Sequence, residues 1–284
     1  MTSVLSHPTR SRERAATRRR YLMCRPEHFA VSYAINPWMD PRVPVDRNRA
    51  LHQWDTLRGI YLDLGHRVDE LPPRPGLPDM VYAANGATVL DGTVFGARFR
   101  HRERRAEAPA HLRWFTAAGF ERVVRARFVN EGEGDLLVAG PPGDRVLLAG
   151  TGFRTDPRAH AEAAAVLGCP VLPLELVDPR YYHLDTALAV LDGDTIAWLP
   201  EAFAPHSRER LAARFPDSVV ADQADAAVLG LNAVSDGRHV VLPAQAPRLA
   251  ALIAERGFEP IPVDLSELLK GGGGVKCCTL EVRA

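Results

Sequence analysis

Four short stretches of this 284-residue chain place polar side chains where apolar strands begin or end. The first is LLKGGGGVKCCTLEV, Leu268 to Val282, in which four consecutive glycines precede two adjacent cysteines. A thiol beside a cation such as Lys276 can ionise and act as a nucleophile near neutral pH. Read as a strand, KCCTLEV points Cys277 and Cys278 to opposite faces, one toward a pocket and one into packing. Two small buried hydrophobes behind a flexible loop would give the same text. The second stretch is DPRYYHLDTALAV, where His183 and Asp185 sit two apart at the head of an apolar strand and so share a face. Such a histidine is commonly structural; beside a carboxylate and a candidate thiolate it also reads as an acid–base partner.

The third stretch, FVNEGEGDLLVAG, crowds Glu131, Glu133 and Asp135 into one glycine-rich turn. That pattern suits a solvated surface turn, or a site that grips a cation. The fourth, VYAANGATV, sets Asn85 in the middle of an apolar run, and Asn36 in SYAINPWMD and Arg154 in GTGFRTD stand beside it as candidates. Cysteine, histidine and acids could also mean a metal. The chain has no C-x-x-C, no H-x-x-x-H and no close group of four ligands, so neither a metal nor another cofactor is expected.

Some framework must bring these distant stretches together. VYAANGATVLDGTVFGARF reads as strand, Asp-Gly turn, strand; TALAVLDGDTIAWL and AVLGLNAVSDGRHVVL repeat it, and GDLLVAGPPGDRVLLAG does the same around a Pro-Pro-Gly-Asp turn. Asp-Gly between alternating apolar runs predicts a type I′ hairpin, whose two central residues need positive φ. An amphipathic stretch and a short apolar strand follow each hairpin, often with a glycine stop, as at Gly119, Gly168 and Gly257. The unit is thus β-hairpin, helix, strand, recurring at roughly 45–55 residues. Four copies are legible. A fifth can be assembled from YLMCRPEHFAVSYAI and the helix around Asp46–Leu64. Regular recurrence of such units favours an array closed around an axis over an open α/β sheet, and no G-x-G-x-x-G supports a Rossmann version.

Composition bounds the remainder. The chain is 46% hydrophobic and 25% charged, with zero formal net charge, as in an ordinary soluble globular protein. No apolar run approaches a bilayer span and no apolar core follows the first charges, so a cytoplasmic protein with reduced thiols and no membrane partner is expected. Residues 1–20 are arginine-rich. They read as a disordered leader in preference to a nucleic-acid arm, ahead of a single catalytic domain over 21–284.

Taken in order, E-G-x-G-D, G-x-x-R-T, H-L-D-T and a terminal G-G-G-x-x-C resemble the guanidino-group-modifying (pentein) superfamily. That superfamily includes arginine deiminases, arginine dihydrolases, dimethylarginine dimethylaminohydrolases and glycine amidinotransferases. The wording from CRPEHFAVSYAINPWM to GGGGVKCCTLEV is most similar to the dimethylargininases. The resemblance implies a five-fold pseudosymmetric α/β propeller of ββαβ units. It also implies that Cys277 is the nucleophile, that His183 is the acid–base group, and that Cys278 is in packing. Glu131 would be the acidic partner, with Glu133 the alternative. Asp185, Asn85, Asn36 and Asp135 would line the guanidino site, and Arg154 and Arg104 would meet the substrate's α-carboxylate. The implied activity is hydrolysis at a guanidino carbon through a covalent amidino-thioether. The expected substrate is dimethylarginine; the alternatives are arginine deimination or dihydrolysis, amidino transfer, and a non-catalytic binding module. Asp185 stands where many dimethylarginine hydrolases have lysine, which keeps arginine in contention. The four glycines are expected to form a lid that folds over the bound substrate. Oligomeric state is not legible.

Overall fold

Local punctuation and apolar alternation together produce the expected elements. The computed structural model describes residues 14–283. Strand β1 (Arg20–Cys24) leads through a long loop to α1 (Arg47–Asp63) and β2 (Arg67–Leu71). The hairpin β3 (Ala87–Leu90) and β4 (Thr93–Gly96) is followed by α2 (Glu107–Ala117) and β5 (Arg122–Arg125). Next come β6 (Leu136–Ala139), β7 (Val146–Thr151), α3 (Arg158–Leu167) and β8 (Val171–Glu175). A one-turn helix, α4 (Leu184–Ala187), opens β9 (Leu188–Val190), β10 (Ile196–Trp198), α5 (Pro205–Arg214) and β11 (Val219–Val220). The short α6 (Gln223–Ala226) precedes β12 (Val234–Ser235), β13 (His239–Pro243), α7 (Pro247–Glu255) and β14 (Glu259–Val263). Finally α8 (Ser266–Leu269) and the glycine run lead to β15 (Leu280–Glu281).

Among the described residues five three-stranded sheets result, ordered β15-β1-β2, β3-β4-β5, β6-β7-β8, β9-β10-β11 and β12-β13-β14. In each, the first strand pairs antiparallel with the second, and a helical crossover returns the third parallel to it. Every sheet is therefore one ββαβ unit. The fifth differs only in that its hairpin joins the C-terminal strand to the N-terminal one, with Tyr21 opposite Glu281.

The type I′ expectation holds at Asp91-Gly92, whose φ values are 46° and 71°. At Asp192 and Asp236 the aspartate instead turns back on itself. Asp192 Oδ1 accepts from the N–H groups of Asp194 and Thr195, and Asp236 Oδ1 from those of Arg238 and His239. These are side-chain-closed loops, and of their two glycines only Gly237, at φ 100°, takes positive φ. Gly168 ends α3 at φ 64°, as its stop position predicts. Helix α1 starts where Asp46 accepts from the Arg49 N–H at 3.0 Å. Its buried face, Ala50, Trp54, Leu57 and Tyr61, follows helical spacing onto the sheet.

Of the basic leader, residues 1–13 lie outside the described residues. The part that is described is tied down. The Thr17 N–H donates to the Asp236 carbonyl, Arg14 pairs with Asp192, and β1 already begins at Arg20. No helix among the described residues is long and apolar enough to cross a membrane.

The C-terminal stretch corrects two expectations. Val275–Cys278 form a turn before β15, so Cys277 and Cys278 are not on a strand. The glycines are no lid: Gly271–Gly274 are buried, and their missing side chains make room for neighbours. A Cβ on Gly271 or Gly273 would fall within the Tyr82 phenol, and one on Gly272, whose φ is 86°, would meet Asn36. Close packing is what these glycines permit. Gly273→Ala is accordingly expected to destabilise the fold by about 1–3 kcal/mol. Gly59→Ala, in the middle of α1 with nothing within 4 Å of the new carbon, should stabilise it by about 0.5–1 kcal/mol. Denaturant titration of the two variants against the parent checks both signs.

Candidate active site

In every unit, polar residues stand just ahead of the strand that opens the sheet. Asn85 lies two residues before β3, in the single turn Ala83–Gly86. Glu131 precedes the turn Gly132–Gly134 that enters β6, and His183 caps α4 ahead of β9. Asn232 comes two residues before β12, and Cys277 three before β15. Gly134 shows how tightly these lead-ins meet: a Cβ there would strike Asn85 Nδ2 and press on the His183 ring.

The sulfur of Cys277 lies 3.2 Å from Asp185 Oδ2, so the thiol donates to the carboxylate. Asn232 Nδ2 lies 3.1 Å from the same sulfur. Two residues from Asp185, His183 Nε2 is 2.8 Å from Glu131 Oε2. The Glu131 carboxylate also accepts from Arg154 Nη1 at 2.8 Å and from the Arg100 N–H at 3.2 Å. Cys277–Asp185 and His183–Glu131 are thus two buried contact pairs, brought together by the α4 turn that carries both His183 and Asp185. Glu131 is the histidine's partner. Glu133 instead gives both oxygens to the C-terminal stretch: it pairs with Arg283, with Lys276 Nζ at 2.5 Å, and accepts the Glu281 N–H. Lys276 consequently serves as an anchor to Glu133 and does not point at the thiol.

Asp135 is likewise committed. It accepts from Thr155 Oγ1 at 2.7 Å and from the Leu184 N–H at 3.0 Å, which positions the turn carrying His183 and Asp185. Asn36 donates to the Gly271 carbonyl and accepts from the Trp38 N–H, fixing the loop after β1. That loop is held over the site residues: Tyr33 bonds Asp79, the Ile35 carbonyl accepts from Arg154, and Trp38 Nε1 reaches the Arg180 carbonyl. Arg104 spans Glu107 and Asn85 Oδ1, the latter at 2.7 Å, with Asp79 at 3.8 Å. Both arginines expected near a substrate carboxylate therefore also brace acids of the site. Sequence reasoning missed Asp79 and Asn232. Asp79 stood out only as a single acid ahead of an apolar run, and Asn232 only by sharing Asn85's position two residues before a strand.

Several buried atoms here have no partner: Asn85 Nδ2, His183 Nδ1, Asp185 Oδ1 and Asp79 Oδ1. Buried polar atoms are ordinarily paired, so a group of orphans marks where a ligand would bond. The charges point the same way. Arg104 is matched by Glu107 and Arg154 by Glu131. Asp79 has only Arg104, at 3.8 Å and already matched by Glu107, and Asp185 has no ion-pair partner among the described residues, so the site suits a cationic ligand. Burial raises the pKa of Asp79, and it lifts that of Asp185 to about 7 against the bond from Cys277. Burial, then the Asp185 charge, hold the Cys277 thiol well above its usual range. Burial alone would raise Glu131 too, but Arg154 and His183 hold it well below the ordinary carboxylate range. The resting site therefore contains a protonated thiol, an ionised Glu131 and a carboxyl poised near neutrality.

A family model for N,N dimethylarginine dimethylhydrolases (eukaryotic) matches residues 25–284. The chain belongs to that family. Its reaction class, hydrolysis at an amidino group, is the family's. The chain is 60% identical to the N(G),N(G)-dimethylarginine dimethylaminohydrolase of Mycobacterium tuberculosis over 93% of its own length and 86% of that protein's. It is also 36% identical to the bifunctional arginine dihydrolase/ornithine cyclodeaminase ArgZ of Synechocystis, spanning 37% of that longer protein. The solved N-terminal domain of ArgZ, an arginine dihydrolase bound to its substrate, superimposes with a TM-score of 0.89, covering 93% of this chain and 98% of that one. A dimethylarginine dimethylaminohydrolase carrying an S-methyl-L-thiocitrulline adduct shares the fold at 21% identity and a TM-score of 0.79, covering 93% of this chain and all of that one. The mixed α/β pentein fold expected from the sequence is thereby shown.

A cavity of about 920 Å³ lies elsewhere, at the turn ends of the opening strands, beside Asp91, Arg145, Asp192 and Arg283. Its volume does not make it the site, since Cys277, His183 and Glu131 do not line it.

Asp185 yields a pH-dependent prediction. Its folded pKa lies above the unfolded value of about 3.9, so the native state holds the extra proton between the two values. Stability conferred by the parent side chain therefore declines as pH rises from about 4 to 7. Asp185→Asn removes that term, so its melting temperature relative to the parent should increase over that interval and level off above it. A difference that stays flat from pH 4 to pH 8 would exclude the buried, titrating carboxyl.

Proposed function

We propose that this protein hydrolyses dimethylarginine to citrulline and dimethylamine, with Cys277 as nucleophile, His183 as acid–base group and Glu131 as its partner. The observation that carries this reading is the convergence of two buried pairs on the α4 turn. A thiol touches Asp185, and His183, two residues away, is locked on Glu131 by Nε2 while Nδ1 remains open. The 60% identical mycobacterial relative supports dimethylarginine as the substrate.

In this reading the cationic guanidinium enters against Asp185 and Asp79, and its charge favours ionisation of the neighbouring thiol. The thiol proton passes to His183 Nδ1. The thiolate then adds to the guanidino carbon, forming the C–S bond and moving an electron pair onto nitrogen. Protonated His183 gives its proton to the dimethylamino nitrogen, and dimethylamine leaves with the C–N electron pair. An amidino-thioether remains. His183 next takes a proton from water as the water oxygen adds to that carbon. The C–S bond then breaks with its electron pair on sulfur, the hydroxyl proton of the ureido product passes to that thiolate to restore the thiol, and His183 releases its proton to solvent. Glu131 keeps the Nε2 proton in place and balances the imidazolium. A dimethylated nitrogen has no N–H to offer Asp185, so productive binding turns it toward His183, where a leaving group belongs.

The same reading closes the five units around a common axis, within one catalytic domain over 21–284. Support comes from contacts between opening strands of different units, including the Val89–Val282 bridge between neighbouring sheets.

Arginine dihydrolysis is the second reading. It is favoured by the Asp185 carboxylate, which can bond both unmethylated nitrogens of arginine, and by the likeness to the ArgZ domain. Product masses decide between the two. Dimethylarginine is expected to give citrulline and dimethylamine with a kcat/KM at least ten times that for arginine; ornithine from arginine would establish the alternative. Cys277→Ser should abolish turnover and the covalent adduct, whereas Cys278→Ser should preserve both. Turnover persisting without the Cys277 thiol would overturn the nucleophile assignment, whereas a parent protein that turns over neither substrate would leave only a binding module.

A further inference from the structure

The fourth unit supplies a group with no role in the scheme above. Asn232 stands between Leu231 and Ala233 at the entrance to β12 and is fully buried. Its side-chain oxygen accepts from the backbone N–H groups of Gly274 and Cys277, both at 3.0 Å. Those two obligatory donors fix which end of the amide is oxygen. The NH2 group must then face the other way. It reaches the Asp185 carbonyl at 3.0 Å and the Cys277 sulfur at 3.1 Å. All four hydrogen-bonding positions of the amide are used, so the N–H directed at sulfur cannot turn aside without leaving a buried group unpaired.

The geometry points to Asn232 as a further catalytic residue, one that holds the Cys277 thiolate by a fixed N–H donor while it attacks. The inference rests on Cys277 being the nucleophile. At rest the thiol donates to Asp185 and accepts from Asn232. Once the proton has left, Asp185 repels the sulfur, and the Asn232 donor bonds the new charge without reorientation. The other titratable groups acting on this sulfur are Cys278, Tyr82 and Tyr182, none of them cationic. Lys276 is the near cation and is paired with Glu133. The backbone N–H of Gly274, itself held by Asn232, also favours the anion. One side chain thus orients the nucleophile's backbone and solvates its charge.

Asn232→Asp separates these two duties. It keeps the acceptor for Gly274 and Cys277 but replaces the donor with a negative oxygen. On full-length protein kcat is expected to fall about 100-fold, the scale for losing one preorganised donor. Alkylation of Cys277 by iodoacetamide, followed on a Cys278→Ser background, should shift to higher pH by at least one unit. Dimethylarginine affinity, measured with Cys277→Ser present, should change by less than threefold. Asn232→Ala is the second variant should the aspartate impair folding, and the same upward shift is expected of it. An unmoved alkylation profile, or kcat within threefold of the parent, would overturn the role of Asn232. Turnover by Cys277→Ser alone would overturn the nucleophile assignment instead, and this inference with it.

Discussion

The hydrogen bond between Cys277 and Asp185 is the contact around which the molecule is arranged. It brings a thiol and a carboxylate together out of water, where neither ionises readily and both together less so. Such a pair is unfavourable for folding taken alone. It persists because the surrounding packing determines both positions. The glycines seat the Cys277 turn against Tyr82 and Asn232, and Asp135 fixes the start of α4 through the Leu184 N–H. The tension is relieved when a cation arrives, because a positive charge stabilises carboxylate and thiolate alike. The charge of a bound cation and the ionisation of both groups are thereby linked in one place.

Glu133 has an equally specific, though non-reacting, part. It clamps Lys276 and Arg283 on either side of β15 and accepts the Glu281 N–H. The carboxylate is fully buried but keeps its charge, since burial is outweighed by Lys276 and Arg283. The turn bearing Cys277 is thus tethered to the same acidic loop that delivers Glu131 to His183. Cys277 and the His183–Glu131 pair share a mechanical reference although they lie far apart in the chain.

How much of this was legible followed from the range of each interaction. Hairpins and crossover helices were readable because Asp-Gly turns, glycine stops and apolar spacing act within a few residues. The last sheet was only half readable, because its β15–β1 pairing joins opposite ends of the sequence. Cys277, His183 and Glu131 could be singled out as chemically expressive residue types in suggestive turns. Asn232 could not, for a lone asparagine before a hairpin looks like a turn residue until its four partners are seen. The glycine run misled for a physical reason: backbone freedom signals mobility on a surface, whereas in an interior it signals that something large needs the space. Here that something is the Tyr82 ring. Lys276 misled because its counter-charge belongs to another unit.

Each reactive or binding group enters on its own lead-in, ahead of its own opening strand, while the sheets behind make their own internal ladders. Evolution can therefore retune one contact at a time. Exchanging the residue beside Asn85 or Asp185 changes one wall of the buried polar cluster, yet the scaffold inherits no new folding problem. A lineage built this way can vary the groups around one buried cluster while the five sheets stay put.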